Sequence, residues 1–184
     1  MAKILVFAGS ARRDSLNKKL ARVGAEAVRA AGGEATFVDL DDYPIPVYHG
    51  DLEAKEGMPQ NARKLRALFL AHEGLLIASP ENNQSITSLL KNTIDWLSRV
   101  PQQPFSGKPV AMVGASMSLL GAARAQYHLR QTFVFLNIND VKQPEVLIRE
   151  ATGKFDAQGN LTDDTTKKLI GQLLENLVAQ SKRK

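Results

Sequence analysis

The chain has 184 residues, 43% of them hydrophobic and 23% charged, with a formal charge of +5 and a pI of about 9.5. That is the balance of a globular domain able to bury roughly 70% of the surface its unfolded form exposes. Cysteine is absent, which excludes disulfides, thiol nucleophiles, cysteine-ligated zinc and iron–sulfur clusters.

The first element is the apolar run Ile4 to Ala8, which follows Met1-Ala2-Lys3 directly. It is too short for a signal-peptide core and ends in a turn, so the expected compartment is the cytoplasm. A helical stripe follows at Leu16, Leu20, Val23 and Ala27, and then a second run, Ala35 to Val38. Residues 39–58 form one long irregular stretch carrying Pro44, Pro46, Gly50 and Gly57. Stretches of this kind are either functional or mere connections.

Leu65, Leu68 and Phe69 mark the next helix, Leu75 to Ala78 the third strand, and Ile86, Leu89, Leu90, Thr93, Ile94 and Leu97 a helix over residues 86–99. A fourth strand is expected at Val110 to Val113, and a helix with Ala125, Leu129, Thr132, Phe133 and Leu136 on one face. Residues 144–148 make the weakest strand, and Leu169, Ile170, Leu173, Leu174, Leu177 and Val178 mark the last helix, with Thr162 as its expected N-cap. No apolar run approaches the ~20 residues of a membrane span.

Strands that read as continuous apolar runs are covered on both faces, as in parallel sheets. Five of them alternating with helices predict an α/β fold: a flavodoxin-like three-layer sandwich with a five-stranded parallel sheet in the order 2-1-3-4-5, all within one domain spanning 1–184. In such sheets ligands bind beyond the carboxyl ends of the strands at the switch in strand order. The turns after strands one, three and four are therefore the places to look.

The first turn, Gly9-Ser10-Ala11-Arg12-Arg13-Asp14-Ser15-Leu16-Asn17, opens a helix. Free backbone N–H groups and the positive end of the helix dipole face such a loop. Ser10 and Ser15 offer hydroxyls, Asn17 an amide and Arg12 a charge-assisted bond, a set suited to a phosphate monoester. Neither G-x-G-x-x-G nor G-x-x-x-x-G-K-[ST] is present, so dinucleotide and P-loop readings lose their main support. The third turn, Ser79-Pro80-Glu81-Asn82-Asn83-Gln84-Ser85, is rich in amides. The fourth, residues 114–121, carries small residues that let backbone approach a flat ligand.

Other readings fit less well. Gly114-Ala115-Ser116-Met117-Ser118 falls one glycine short of a hydrolase elbow, and the usual Ser…Asp…His order fails. The clustered acids of a response-regulator receiver are missing after strand one. His49, His72 and His128 lie far apart without metal-ligand spacing. Lys and Arg are scattered, apart from Lys182-Arg183-Lys184 at the tail, which reads as a solvated helix end. A nucleic-acid surface would need a clustered stripe, whereas net positive charge still draws in anionic ligands.

Taken together, Gly9-Ser10-x-Arg12-x-x-Ser15-x-Asn17, Pro80-Glu81-x-Asn83 and Leu90-Lys91-Asn92-x-Ile94-Asp95-Trp96 resemble the NAD(P)H-dependent FMN reductase family, which includes quinone, chromate and azo-dye reductases. The stretch 121–131 is similar to the family's fourth helix, and the likeness runs from about residue 4 to 150. The resemblance implies that Ser10, Arg12, Ser15, Leu16 and Asn17 hold the FMN phosphate. It also implies that Pro80, Glu81, Asn82, Asn83 and Gln84 border the ring, with Ser116 on its far side. NAD(P)H is then the co-substrate, a quinone or other small oxidised acceptor the partner, and no protein acid or base is required.

Three departures stand out: Asn82 replaces the usual Tyr, and Ser118 and Ala122 stand where glycines are usual. They leave open a flavin-binding protein without reductase turnover. A non-enzymatic electron shuttle would share the cofactor site, but such shuttles are generally acidic. By the same resemblance the chain is a homodimer or homotetramer. Trp96 is core or subunit contact, and Arg124, Tyr127 and Glu145 are a possible polar cluster at a further interface.

Overall fold

The computed structural model describes residues 1–99 and 102–182. In chain order it holds β1 (Lys3–Ala8), α1 (Leu16–Ala30), β2 (Glu34–Val38), α2 (Gly50–Glu56), α3 (Gln60–Leu70) and β3 (Gly74–Ala78). Then come α4 (Ser88–Leu97), β4 (Pro109–Ala115), α5 (Ala123–Leu136), β5 (Asn139–Asp140), β6 (Val146–Ile148) and α6 (Asp164–Ser181). Arg183 and Lys184 of the basic tail lie outside the described residues.

The sheet is parallel throughout, in the order β2-β1-β3-β4-β5, with β6 also paired to β4. Neighbouring side chains of one strand serve opposite cores. Ile4, Val6 and Ala8 pack with Leu20, Val28, Ile170 and Leu174 under α1 and α6. Leu5 and Phe7 pack with Leu65, Phe69, Leu90, Ile94, Leu129 and Phe133 under α3, α4 and α5. This double burial is why the central strands read as unbroken apolar runs.

Several boundaries differ from expectation. The fifth lane is split. Asn139 and Asp140 pair with Pro109 and Val110, while Val146–Ile148 pair with Val113–Ala115. Two polar residues carry no apolar signal, so only the second piece was visible. The stretch 39–58 is not wholly irregular, since it contains α2 and a short 3₁₀ turn at Leu40–Asp42. No residue of α2 is buried, so it has no stripe to read.

Helix α4 starts two residues later than expected because Thr87 caps it, its Oγ1 accepting from Leu90 N at 3.2 Å. Helix α6 is capped by Asp163, not Thr162. The Asp163 carboxylate accepts from Thr166 Oγ1 and from Thr166 N, which hold it below the usual carboxylate range.

Trp96 is fully buried within the chain. Its Nε1 donates to Pro46 O at 2.8 Å, and its ring meets Tyr48 edge-on at 5.1 Å. One helical turn earlier, Asn92 donates to Pro46 O at 3.0 Å and accepts from Tyr48 N at 2.8 Å. The Asn92–Trp96 pair thus clamps the loop between β2 and α2, and Trp96 leaves no apolar patch for a partner subunit. The polar cluster also has a different cation. Arg130, not Arg124, lies 3.3 Å from Glu145 and 2.8 Å from Asp140, and it stacks over the Tyr127 ring.

Candidate cofactor cleft

The carboxyl ends of β1, β3 and β4 open into one cleft of about 690 Å³, lined by residues 9–12, 15–17, 80–82, 87–89 and 115–118. That volume lies within the usual range for small-molecule sites. It sits between β1 and β3, where the strand order reverses. A side chain at position 9 would crowd it, because a Cβ there would lie 3.1 Å from Leu90 Cβ and 3.4 Å from Pro80 Cδ.

Two helices present their N-termini here. Leu16 and Asn17 begin α1, and Ser88 and Leu89 begin α4. Both carry unpaired N–H groups and positive dipole ends that favour an anion. Thr87 joins them, since its hydroxyl donates to Gly9 O at 2.7 Å and so fixes α4 against the end of β1. Residues 87–89 escaped the sequence reading; a Thr just before an apolar helical stripe was the available signal.

On the first turn, Ser10, Arg12, Ser15, Leu16 and Asn17 all line the cleft. Ser15 is the N-cap of α1, and its Oγ accepts from Asn17 N and Lys18 N at 3.2 and 3.4 Å. Ser10 Oγ accepts from Arg12 N at 3.3 Å, and the Arg12 side chain is exposed at the rim. Asn17 differs from expectation. Its amide donates to Ala115 O and accepts from Ala115 N, both at 2.9 Å, so it is spent on the end of β4. Outside the cleft, the Lys19 ammonium bonded to Asp14 holds that carboxyl below its ordinary range.

On the third turn, Pro80, Glu81 and Asn82 line the cleft, but Asn83 and Gln84 do not. Asn82 and Ser85 exchange backbone hydrogen bonds of 3.0 and 2.9 Å, and Asn83 and Gln84 between them have φ of 49° and 62°. They form the exposed tip of a two-residue hairpin, in which both central residues must be left-handed. Asn tolerates that region well, so Asn83 serves as a turn former. Glu81 Oε2 accepts from Ala125 N at 3.1 Å in the first turn of α5, which has no side-chain cap of its own. Ser85 Oγ lies 2.9 Å from His128 Nδ1.

On the fourth turn, Ser116, Met117 and Ser118 line the cleft, with Ser116 Oγ bonded to Ser118 Oγ at 3.0 Å. The turn is anchored to β6, since Ser116 N donates to Ile148 O at 2.9 Å. Its return is tight. Gly121 has φ of +58°, and a Cβ there would lie 2.7 Å from the Leu147 carbonyl carbon.

A parallel sheet with a cleft at its switch point, flanked by two helix N-termini and an arginine, defines a flavodoxin-like α/β protein built for a phosphorylated ligand. Residues 2–153 match the family described as NADPH-dependent FMN reductase. The chain belongs to that family. It is 45% identical over 175 residues to an NAD(P)H-dependent FMN reductase of Pseudomonas aeruginosa, covering 95% of this chain and 92% of that protein. It is 38% identical over 173 residues to a quinone reductase of Escherichia coli, covering 93% and 91%. A solved structure of a flavoenzyme NAD(P)H:(acceptor) oxidoreductase from Paracoccus denitrificans superposes with a TM-score of 0.86 at 29% identity, covering 100% of this chain and 98% of that one.

Proposed function

We propose that the chain is an FMN-dependent oxidoreductase that passes electrons from NAD(P)H to quinones or similar small acceptors. The observation that carries this reading is the single cleft in which the phosphate-suited turn of β1 faces the ring-sized gap between residues 80–82 and 115–118. The residues present fit the cofactor. A terminal phosphate belongs on the N-terminus of α1, with Ser10 and Ser15 hydroxyls nearby and Arg12 closing from the rim.

When bound, the flavin takes two electrons from NAD(P)H and releases them to the acceptor. The chain's own task is binding, orientation and electrostatics. Thr87 and Asn17 hold the three strand ends at fixed separation. Pro80 and Glu81 form one wall, and Ser116 to Ser118 the other. Asn82 stands on the wall where the family usually has Tyr, which leaves that side wider and more polar and bears on acceptor choice. Asn83 and Gln84 act through the backbone of the hairpin.

The whole chain forms one FMN-binding domain. It assembles as a homodimer or homotetramer, which the 84% and 88% exposure of Val134 and Phe135 on α5 supports. Its compartment is the cytoplasm, where its reductant is made. Among the described residues no helix is long and apolar enough to cross a membrane.

Purified protein tests the reading directly. It should be yellow, release FMN on heating by mass spectrometry, and oxidise NADH or NADPH with a quinone. Recovery of FAD alone would overturn the cofactor assignment. Bound FMN without quinone-dependent turnover would leave a flavin-binding protein. Light scattering that found only a 20.1 kDa species at micromolar concentration would refute the oligomer.

A further inference from the structure

Lys18 is the one lysine of the first turn of α1 that is buried, at 3% exposure. Its Nζ donates to Ala11 O at 3.2 Å and lies 2.7 Å from Asp39 Oδ2, just beyond the end of β2. Asp39 is itself held, its Oδ1 accepting from Asp41 N at 3.1 Å. Ala11 is the residue between Ser10 and Arg12 in the phosphate turn.

A trans peptide points its C=O and N–H in opposite directions. With the Ala11 carbonyl drawn toward Lys18, the N–H of the same peptide, on Arg12, is turned the other way, toward Ser10 Oγ. A released peptide could rotate its carbonyl oxygen into the cleft and set a partial negative charge against a phosphate dianion. The ion pair is neutral as a whole, so its effect is orientation and not added charge. Buried pairs of this kind contribute little net stability compared with apolar residues of similar size, so fold stability alone gives little reason for this one.

We infer that Lys18 is a positioning residue for cofactor recognition: with Asp39 it holds the Ala11 carbonyl out of the anion site and so sets the preference for phosphorylated over unphosphorylated flavin. This rests on the FMN reading above and extends it to a residue that does not line the cleft.

The test is the ratio of FMN to riboflavin affinity, measured by titrating apoprotein of the wild type, Lys18→Met, and the double variant Lys18→Met with Asp39→Asn. The double variant leaves no unpaired buried charge and keeps an acceptor for Asp41 N, so it folds even if the single variant does not. The expected result is a fall of about tenfold in the ratio for every variant that folds, with riboflavin affinity unchanged and the double variant melting close to wild type. A merely structural role would lower the melting temperature and leave the ratio alone, which would overturn the inference. Equal loss for both flavins would also overturn it. A wild type without preference for FMN over riboflavin would instead sink the phosphate reading itself.

Discussion

The two ends of the cleft are built in different ways. At the phosphate end, the turn after β1 is bound to its surroundings by buried groups: Ser15 capping α1, Asn17 on Ala115, Lys18 on Ala11 and Asp39. At the ring end, the turn after β3 is a small exposed hairpin tied to α5 by Glu81–Ala125 and Ser85–His128. Each buried bond constrains the type of residue that makes it, because an unmatched buried donor or acceptor costs about 1–3 kcal/mol. An exposed hairpin accepts any side chain its backbone allows. The phosphate end therefore keeps its motif, while the ring end admits Asn82 in place of Tyr without disturbing the fold. Affinity for the cofactor and choice of acceptor are thus governed from opposite ends.

The sharpest test of this contrast is Asn17→Ala. It strips Ala115 of two partners, one on its N–H and one on its C=O, and should lower stability by about 2–4 kcal/mol in urea denaturation. A change under about 0.5 kcal/mol would show that water replaces the amide and that the phosphate end is not rigidly built. Next in size is Arg12→Ala. A charge-assisted phosphate bond is worth roughly 1.5–3 kcal/mol, so FMN affinity should fall about tenfold or more. Arg13→Ala is the control, since Arg13 lies outside the cleft lining. Equal losses at both positions would mean general electrostatics.

At the ring end, Glu81→Ala removes the trans cap of α5 and should cost about 1 kcal/mol in stability. Because the hairpin would lose one of its two ties, quinone-dependent KM should rise more than FMN affinity falls. A loss of FMN affinity as large as that of Arg12→Ala would erase the distinction between the ends. The smallest effect belongs to Asn82→Tyr. Aromatic contact adds about 0.5–1.5 kcal/mol beyond burial, so FMN should bind up to about tenfold tighter, with altered relative rates among quinones. Weaker binding, or an unchanged acceptor profile, would show that residue 82 does not face the ring.

The sequence reading reached the order of elements, the strand order and the cleft because each rests on signals local to the chain. Apolar runs mark strands buried on both faces, a 3.6-residue stripe marks each helix, and a polar turn after a strand marks a mouth of the sheet. Ser10, Arg12, Ser15, Pro80, Glu81 and Ser116 were legible in this way, and the structure brings them to one cleft. Tertiary structure decided which partner each polar group finds. Asn17 has the right residue type for a ligand contact, yet its amide is taken by a backbone 98 positions away. Trp96 looked like a subunit contact until the loop from Pro44 to Tyr48 folded over it. Asn83 and Gln84 looked like ring contacts, but the left-handed turn they make points them to solvent. Composition and periodicity specify what a residue can do. Which of those capacities is used depends on what the topology sets within about 3 Å of it, and no local pattern encodes that.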